Sequence, residues 1–144
     1  MNFPKTISIG SDHAGFEYKE AIRLYLQKEN IQIIDVGTNS TASCDYPDYA
    51  HALAKTIEDE RSQYGVLICG SANGVAIAAN RHAAVRAAIC WNAEITALAR
   101  QHNNANVICI PARFVTLDDA LEMVSLFFHT DFEGGRHANR VNKI

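Results

Sequence analysis

Short apolar runs alternate with amphipathic segments along almost the whole chain. Five of these runs have the length and apolar character of strands, and they cover Thr6–Gly10, Ile31–Val36, Tyr64–Cys69, Val85–Trp91 and Asn106–Ile110. Several are apolar on both faces, as strands are when helices cover both sides of a sheet. The pattern therefore predicts an α/β protein, a three-layer α/β/α Rossmann-like domain with a five-stranded parallel sheet.

The segments between the strands carry stripes, mostly apolar, at the spacing of helices. The stripes consist of Tyr18, Ile22, Tyr25 and Glu29, then Tyr46, Ala50, Leu53 and Ile57, and finally Leu117, Leu121, Val124 and Phe128. Thr116 precedes the last stripe and Asp119 follows three residues later, which is typical of a helix start. No linker or repeat interrupts the alternation, so we expect one domain over residues 1–144. We expect its basic tail, residues 130–144, to contribute to a site.

Composition and charge argue against several classes of function. Of the 144 residues, 48% are hydrophobic, and the net charge of −3 at pH 7 disfavours binding to nucleic acid or to a membrane surface. No apolar run approaches the roughly 20 residues that span a bilayer. Met1–Lys5 lacks the apolar core of a signal peptide, so we expect a cytoplasmic protein. The four cysteines show no CxxC spacing and are expected to be free thiols.

The polar residues of most chemical interest follow the strands. Ligands of parallel sheets bind beyond the carboxyl ends of the strands, where Asp12, His13 and Arg113 also lie. Cys69–Gly74 places a thiol before small residues at the start of a predicted helix, where free N–H groups and the helix dipole favour anions. We expect this setting to lower the pKa of Cys69, which would make it a base or nucleophile beside an oxyanion site. We also expect the fifth strand at a sheet edge, away from Cys69.

Residue types alone leave several roles open. Asp12 either only caps a helix or belongs to the site, and His13 is placed at a helix start where it could bind phosphate. His102, followed by Asn103 near a helix end, either complements the helix dipole or donates a proton.

The tail and Arg113 leave a similar choice. Arg136 and Arg140 are four residues apart, so on a helix they share a face and could clamp a phosphate. The alternative is a solvated basic terminus. Arg113 is either a third phosphate ligand or an ordinary surface cation.

No cofactor is expected. Gly70–Gly74 lacks the GxGxxG register of a dinucleotide site, and the chain contains no P-loop. The histidines lack the spacing of metal ligands, so the sequence also predicts no metal site.

Five motifs together resemble the ribose/galactose/allose phosphate isomerase family, which includes ribose-5-phosphate isomerase B. They are Gly10–Phe16, Asp45–Pro47, Ile68–Ser71, Arg100–Asn103 and Gly134–His137, and they occur in the family's order over almost the whole chain. The resemblance implies an aldose–ketose isomerase that interconverts ribose 5-phosphate and ribulose 5-phosphate through a cis-enediolate. Two alternatives stay open: an allose 6-phosphate or galactose 6-phosphate substrate, and a catalytically silent phosphosugar-binding domain on the same fold.

The resemblance also implies roles for individual residues. Cys69 matches the base, and Ser71 matches its hydroxyl helper. His102 matches the residue that helps to open the furanose ring, with Asp12 nearby. The backbone that matches the anion hole belongs to Gly70, Ser71, Ala72, Asn73 and Gly74.

The same resemblance implies the ligands of the substrate and the assembly. Asn103 matches a residue that holds substrate hydroxyls, and the residues that match phosphate ligands are His13, Arg113, Arg136 and Arg140. Family members are homodimers or larger, in which His102 and the arginine-bearing tail come partly from the neighbouring subunit, so we expect a homodimer or a dimer of dimers with shared sites.

Three positions depart from the family pattern. Ala72 stands where members usually have glycine, so a positive φ there would strain it. Ile110-Pro111-Ala112 replaces a more usual Gly-Ser approach to Arg113. Val75 stands where some relatives have a glutamate base, so the role of base falls to Cys69.

Overall fold

Strands and helices alternate along the chain. The computed structural model describes residues 3–144, so the first two residues of the Met1–Lys5 segment lie outside the described residues. The elements are β1 (Thr6–Ser11), α1 (Phe16–Lys28), β2 (Gln32–Asp35), α2 (Tyr46–Glu58), β3 (Tyr64–Cys69), α3 (Asn73–Ala79), β4 (Ala87–Ile89), α4 (Ala93–Asn103), β5 (Val107–Pro111), α5 (Leu117–His129) and α6 (Arg136–Val141). Within the described range, no helix combines the length and the apolar character that crossing a membrane requires.

All five strands run parallel in the order β2-β1-β3-β5-β4. The predicted three-layer α/β/α Rossmann-like domain is therefore confirmed. β2 pairs with one side of β1, and β3 pairs with the other side. The strand order thus switches between β1 and β3, which is where parallel sheets bind their ligands.

The expectation that the fifth strand lies at a sheet edge is wrong. β5 is the direct neighbour of β3, in a register that pairs Cys69 with Pro111, and β4 forms the edge. All five residues of β5 are buried, as an interior strand requires, whereas the three residues of β4 are half-buried. The apolar run Val85–Trp91 predicted a longer β4, because apolar character alone does not show where pairing with the neighbouring strand stops.

Two apolar cores lie on the two faces of the sheet. On one face, α1, α4 and α5 pack through residues such as Ile22, Ala99 and Phe128. On the other, α2 and α3 pack through residues such as Leu53 and Ala76. The three predicted stripes are largely confirmed, although Glu29 lies just beyond the end of α1 and Tyr46 is 41% exposed.

The start of α5 confirms a second sequence prediction. The hydroxyl oxygen of Thr116 accepts a hydrogen bond from the N–H of Asp119 at 3.1 Å. This bond satisfies one of the free N–H groups of the first helical turn.

A fully buried lysine was not predicted. Lys19, on α1, is 0% exposed, and its ammonium group lies 2.7 Å from Asp35 and 3.0 Å from Glu20. The other carboxylate oxygen of Asp35 accepts the N–H of Gly37 at 2.9 Å. The pair therefore fixes the start of the loop that leaves β2.

This buried ion pair leads to a stability prediction. Asp35→Asn keeps an acceptor for Gly37 but leaves the Lys19 charge facing a neutral amide. We expect the free energy of unfolding to fall by about 2 kcal/mol, below the 3–5 kcal/mol typical of a broken buried pair, because Glu20 remains. Lys19→Met removes the buried charge and should cost less. Urea denaturation measures the free energy of unfolding of both variants. A larger fall in Lys19→Met than in Asp35→Asn would contradict the buried ion pair between Lys19 and Asp35.

Candidate active site

A cleft of about 410 Å³ opens where the carboxyl ends of the strands meet, which we call the carboxyl edge of the sheet, as opposed to the amino edge at the other strand ends. Its walls come from the segments after β1, β3 and β5 and from the start of α2, and the lining residues are Asp12, His13, Ala14, Tyr46, Cys69, Gly70, Ser71, Gly74, Arg113 and Phe114. The structure therefore brings together candidate residues from three separate strand ends.

Cys69 ends β3 and is 5% exposed at the base of this cleft. The backbone N–H groups of Val75, Ala72 and Ser71 face its sulfur and act to lower its pKa. They belong to the turn after β3 and to the first turn of α3, so the geometry follows directly from the small residues at this junction. The sulfur thus lies against the donors that the Cys69–Gly74 segment was expected to supply.

The predicted lowering of the Cys69 pKa is wrong for this chain. Burial raises the pKa of the Cys69 thiol above its usual value, and the negative charge of Asp12 raises it further. The three N–H groups lower the pKa, but they do not outweigh burial. The sequence indicates the backbone donors and the helix dipole near Cys69. It does not show how deeply Cys69 is buried, because burial depends on how the helices cover the sheet.

Ala72 confirms the strain expected from the family pattern. Its φ of 65° and ψ of −7° lie in the left-handed region, where glycine is favoured. An L-residue there costs roughly 1–2 kcal/mol. The side chain is fully buried in the core under α2 and α3, and burial of this methyl group offsets part of the strain.

Asp12 is not the N-cap of α1, because that position is Gly15. One carboxylate oxygen of Asp12 accepts the N–H of Gly15 at 3.1 Å, and the residue lines the cleft. Ser71 is exposed at the rim, and its hydroxyl oxygen accepts from the side-chain amide of Asn73 at 3.2 Å.

His13 is oriented by the loop between β2 and α2. The backbone N–H of Cys44 donates to His13 Nδ1 at 3.2 Å. Because a backbone N–H can only donate, Nδ1 must accept and the ring proton must sit on Nε2. His13 therefore offers an N–H donor at Nε2. The sequence carried no signal for this contact, since Cys44 lies 31 residues further along the chain.

The remaining walls of the cleft depend on two glycines. A Cβ atom at Gly70 would lie 3.1 Å from Nη1 of Arg113, so the guanidinium packs directly on this backbone. A Cβ at Gly74 would lie 2.5 Å from the ring of Tyr46. Sequence reasoning assigned Tyr46 to an apolar helical stripe and missed its place in the cleft.

Six predicted site residues do not line this cleft. Two of them, Ala72 and Asn73, belong to the turn and helix start that follow Cys69. The other four are His102, Asn103, Arg136 and Arg140. His102 and Asn103 end α4, and the chain then enters β5 at its amino end. The guanidinium of Arg100 lies over the ring of Tyr64, the first residue of β3, which places this end of α4 at the amino edge of the sheet. Strand β5, with five residues, spans about 16 Å. In one chain, Cys69 and His102 therefore lie at opposite edges of the sheet.

The tail folds back onto α4. Gly134 and Gly135 both have positive φ and turn the chain sharply before α6, which carries Arg136 and Arg140 four residues apart, as predicted. Both arginines are exposed. His137, also on α6, is buried, and its ring stacks on that of His102 with centroids 4.1 Å apart and planes 9° from parallel.

His102, Glu133 and His137 form a second cluster, which the spacing of these residues along the chain did not predict. Donor atoms of His102, Glu133 and His137 lie within 4.8 Å of one another, a set able to hold a metal ion, although the sequence predicted no metal site. Burial, with the nearby His102 and Arg136, lowers the pKa of His137.

Comparisons with known proteins match almost the whole chain to one family. A family profile described as Ribose/Galactose Isomerase matches residues 7–144. The chain is 43% identical over 145 residues to a probable ribose-5-phosphate isomerase B of Mycoplasma pneumoniae, a match that covers 100% of this chain and 94% of that protein.

Solved structures are equally similar. Ribose-5-phosphate isomerase B of Clostridium thermocellum superposes with a TM-score of 0.94 at 40% identity, covering 96% of this chain and 93% of the other. Ribose-5-phosphate isomerase B of Mycoplasma genitalium with bound ribulose-5-phosphate gives a TM-score of 0.91 at 41% identity, covering 96% and 92%.

The raised pKa of Cys69 predicts its reactivity. Iodoacetamide alkylates the thiolate, so the alkylation rate should climb through the alkaline range. Asp12→Asn keeps an oxygen for Gly15 but removes the charge that raises the Cys69 pKa, so its profile should shift to lower pH. Peptide mass spectrometry separates Cys69 from Cys44. An unshifted profile, or one shifted to higher pH, would contradict the role of the Asp12 charge.

The tautomer of His13 is also testable. Nitrogen-15 NMR at neutral pH should show His13 with an unprotonated Nδ1 and a protonated Nε2. A scalar coupling across the hydrogen bond should link Nδ1 to the amide nitrogen of Cys44. Cys44→Ala keeps the backbone N–H and should keep both signals. Protonation at Nδ1 in the wild type would refute the assignment.

Proposed function

This chain belongs to the ribose/galactose isomerase family, and we propose that it is an aldose–ketose isomerase interconverting ribose 5-phosphate and ribulose 5-phosphate. The observation that carries the proposal is the sulfur of Cys69, surrounded by three backbone donors, in a cleft that also holds His13 and Arg113. The ribulose-5-phosphate bound in the Mycoplasma genitalium neighbour supports the same class of ligand. All four cysteines are free, which suits a thiol base and a reducing cytoplasm.

Cys69 acts as the base. Its thiolate removes the proton from C2 of the open-chain aldose and returns it to C1, through a cis-enediolate. Within this intermediate the hydroxyl proton on the C2 oxygen passes to the C1 oxygen, so that C2 becomes the carbonyl carbon. The N–H groups of the Gly70–Gly74 loop and the Ser71 hydroxyl donate to the enediolate oxygens. Each such donor can contribute roughly 3–4 kcal/mol, and a positioned base about 10²–10⁴-fold.

Phosphate recognition uses groups of a different kind. His13 donates from Nε2, and Arg113 supplies a planar guanidinium at the cleft wall. A phosphate that does not react is held in the ground state and the transition state alike, so these residues set the affinity for substrate.

A second copy of the chain completes the site. His102 and Asn103, with Arg136 and Arg140 on α6, lie at the opposite sheet edge from Cys69 in their own chain and could reach a neighbour's cleft. Beside the cleft, Trp91 is 53% exposed and Phe114 is 73% exposed. These apolar side chains suit contact with a partner, so we propose a homodimer or a dimer of dimers with shared sites.

A six-carbon 6-phosphate sugar is the second candidate substrate, because the matched family description also includes galactose. An isomerase assay with ribose 5-phosphate, allose 6-phosphate and galactose 6-phosphate separates these possibilities. We expect the highest kcat/KM with ribose 5-phosphate. A protein that binds these sugars but converts none of them would instead be a silent binding domain.

Removal of the base should abolish turnover and spare binding. We expect Cys69→Ala to lose at least about 100-fold in kcat, while calorimetry still detects bound ribose 5-phosphate. Cys44→Ala is the matched control, because it removes a partly exposed thiol near the cleft. Retention of a tenth of the wild-type kcat by Cys69→Ala would contradict the assignment.

Subunit mixing tests whether the site is shared. Cys69→Ala and His102→Ala are each expected to be inactive, but a mixed dimer has one site with both residues intact. Activity should then recover towards half of the wild-type value per mixed dimer. Native mass spectrometry verifies subunit exchange. Proven exchange without recovery would place Cys69 and His102 of one chain in the same site.

A further inference from the structure

His102 is held from two sides at the amino edge of the sheet. The buried ring of His137 stacks on one face of the His102 ring, with centroids 4.1 Å apart. A single carboxylate oxygen of Glu133 lies 3.9 Å from Nε2 of His102 and 3.5 Å from Nε2 of His137. Glu133 thus faces the Nε2 atom of each ring.

Backbone contacts fix the two supporting residues. The N–H of Glu133 donates to the carbonyl oxygen of Gln101 at 3.0 Å, directly beside His102. Arg100 donates from Nε to the carbonyl oxygen of Thr130 at 3.1 Å, so the whole connection from α5 to α6 is tied to α4. The side chains of Glu133 and His137 therefore belong to the same rigid frame as His102.

Charged groups of both signs lie near His102. Arg136 and Arg140 on α6 are cations, and the Arg100 guanidinium on α4 is turned towards the rings of Tyr64 and Phe127. Glu133 contributes the opposite charge from the connection before α6. A carboxylate within 4 Å of Nε2 orients the His102 ring, and a flat neighbour limits its rotation.

We propose that Glu133 and His137 are positioning residues for His102, and that they serve the opening of the furanose ring rather than the later proton transfer at Cys69. This inference rests on the proposed function. In ring opening, the bond between C1 and the ring oxygen breaks, and its electron pair stays on that oxygen, which takes a proton from His102. The C1 hydroxyl loses its proton to a carboxylate, for which Asp12 in the cleft is placed, and C1 becomes a carbonyl carbon.

Two reactions separate the steps. Conversion of ribose 5-phosphate starts from the furanose and needs ring opening. Ribulose 5-phosphate is open-chain, so exchange of its C1 hydrogen with deuterium from heavy water needs only the base. Both assays contain a chelator, which keeps metal ions from the donor atoms of Glu133 and His137.

The variants are Glu133→Gln, His137→Ala and His137→Phe. We expect Glu133→Gln and His137→Ala to slow conversion of ribose 5-phosphate by about 10- to 100-fold, the range expected for a displaced catalytic group. Deuterium exchange into ribulose 5-phosphate should stay near the wild-type rate. His137→Phe keeps a flat ring against His102 and should restore most of the rate lost in His137→Ala. Glu122→Gln, an exposed carboxylate on α5, is the matched control.

The outcomes are distinct. Selective loss of ribose 5-phosphate conversion supports the inference. An equal fall in both reactions indicates a merely structural role and overturns the inference. An unchanged rate of ribose 5-phosphate conversion in Glu133→Gln also overturns it. A wild-type protein that catalyses neither reaction would overturn the proposed function, and this inference with it.

Discussion

The common direction of the five strands is the constraint on which the site depends. Because the sheet is entirely parallel, every strand ends at one edge, and each connecting helix returns the chain to the other. Cys69 ends a strand and His102 lies near the end of a helix, so the fold holds them apart within one chain. Each chain therefore presents a cleft at one edge and a basic, histidine-containing cluster at the other, and the proposed shared site follows from this separation.

The setting of Cys69 balances two opposing effects. Burial and the charge of Asp12 raise its pKa, while three backbone N–H groups lower it. A raised pKa makes the thiolate rarer at neutral pH but a stronger base once it forms. The turn that delivers these donors requires a left-handed residue at Ala72, so part of the folding free energy is spent on the geometry of the site.

The sequence predicted the parts of this structure that follow from local pattern. Apolar runs revealed β3 to the residue, Thr116 and Asp119 revealed the start of α5, and the paired glycines revealed the turn before α6. The position of β5 beside β3 could not be predicted, because strand order depends on how helices pack across the sheet. The contacts of His13 with Cys44 and of His102 with Glu133 were also missed, because each joins residues about 30 positions apart in the chain.

The most direct test of the two-edge site is a crystal structure of Cys69→Ala with bound ribose 5-phosphate. The account predicts a sugar between position 69 of one chain and His102 of its partner, both within hydrogen-bond reach, roughly 3–4 Å, of the ligand or one bridging water. The phosphate should contact His13 and Arg113 of the first chain together with Arg136 and Arg140 of the second. A sugar phosphate enclosed by the residues of a single chain would contradict the account.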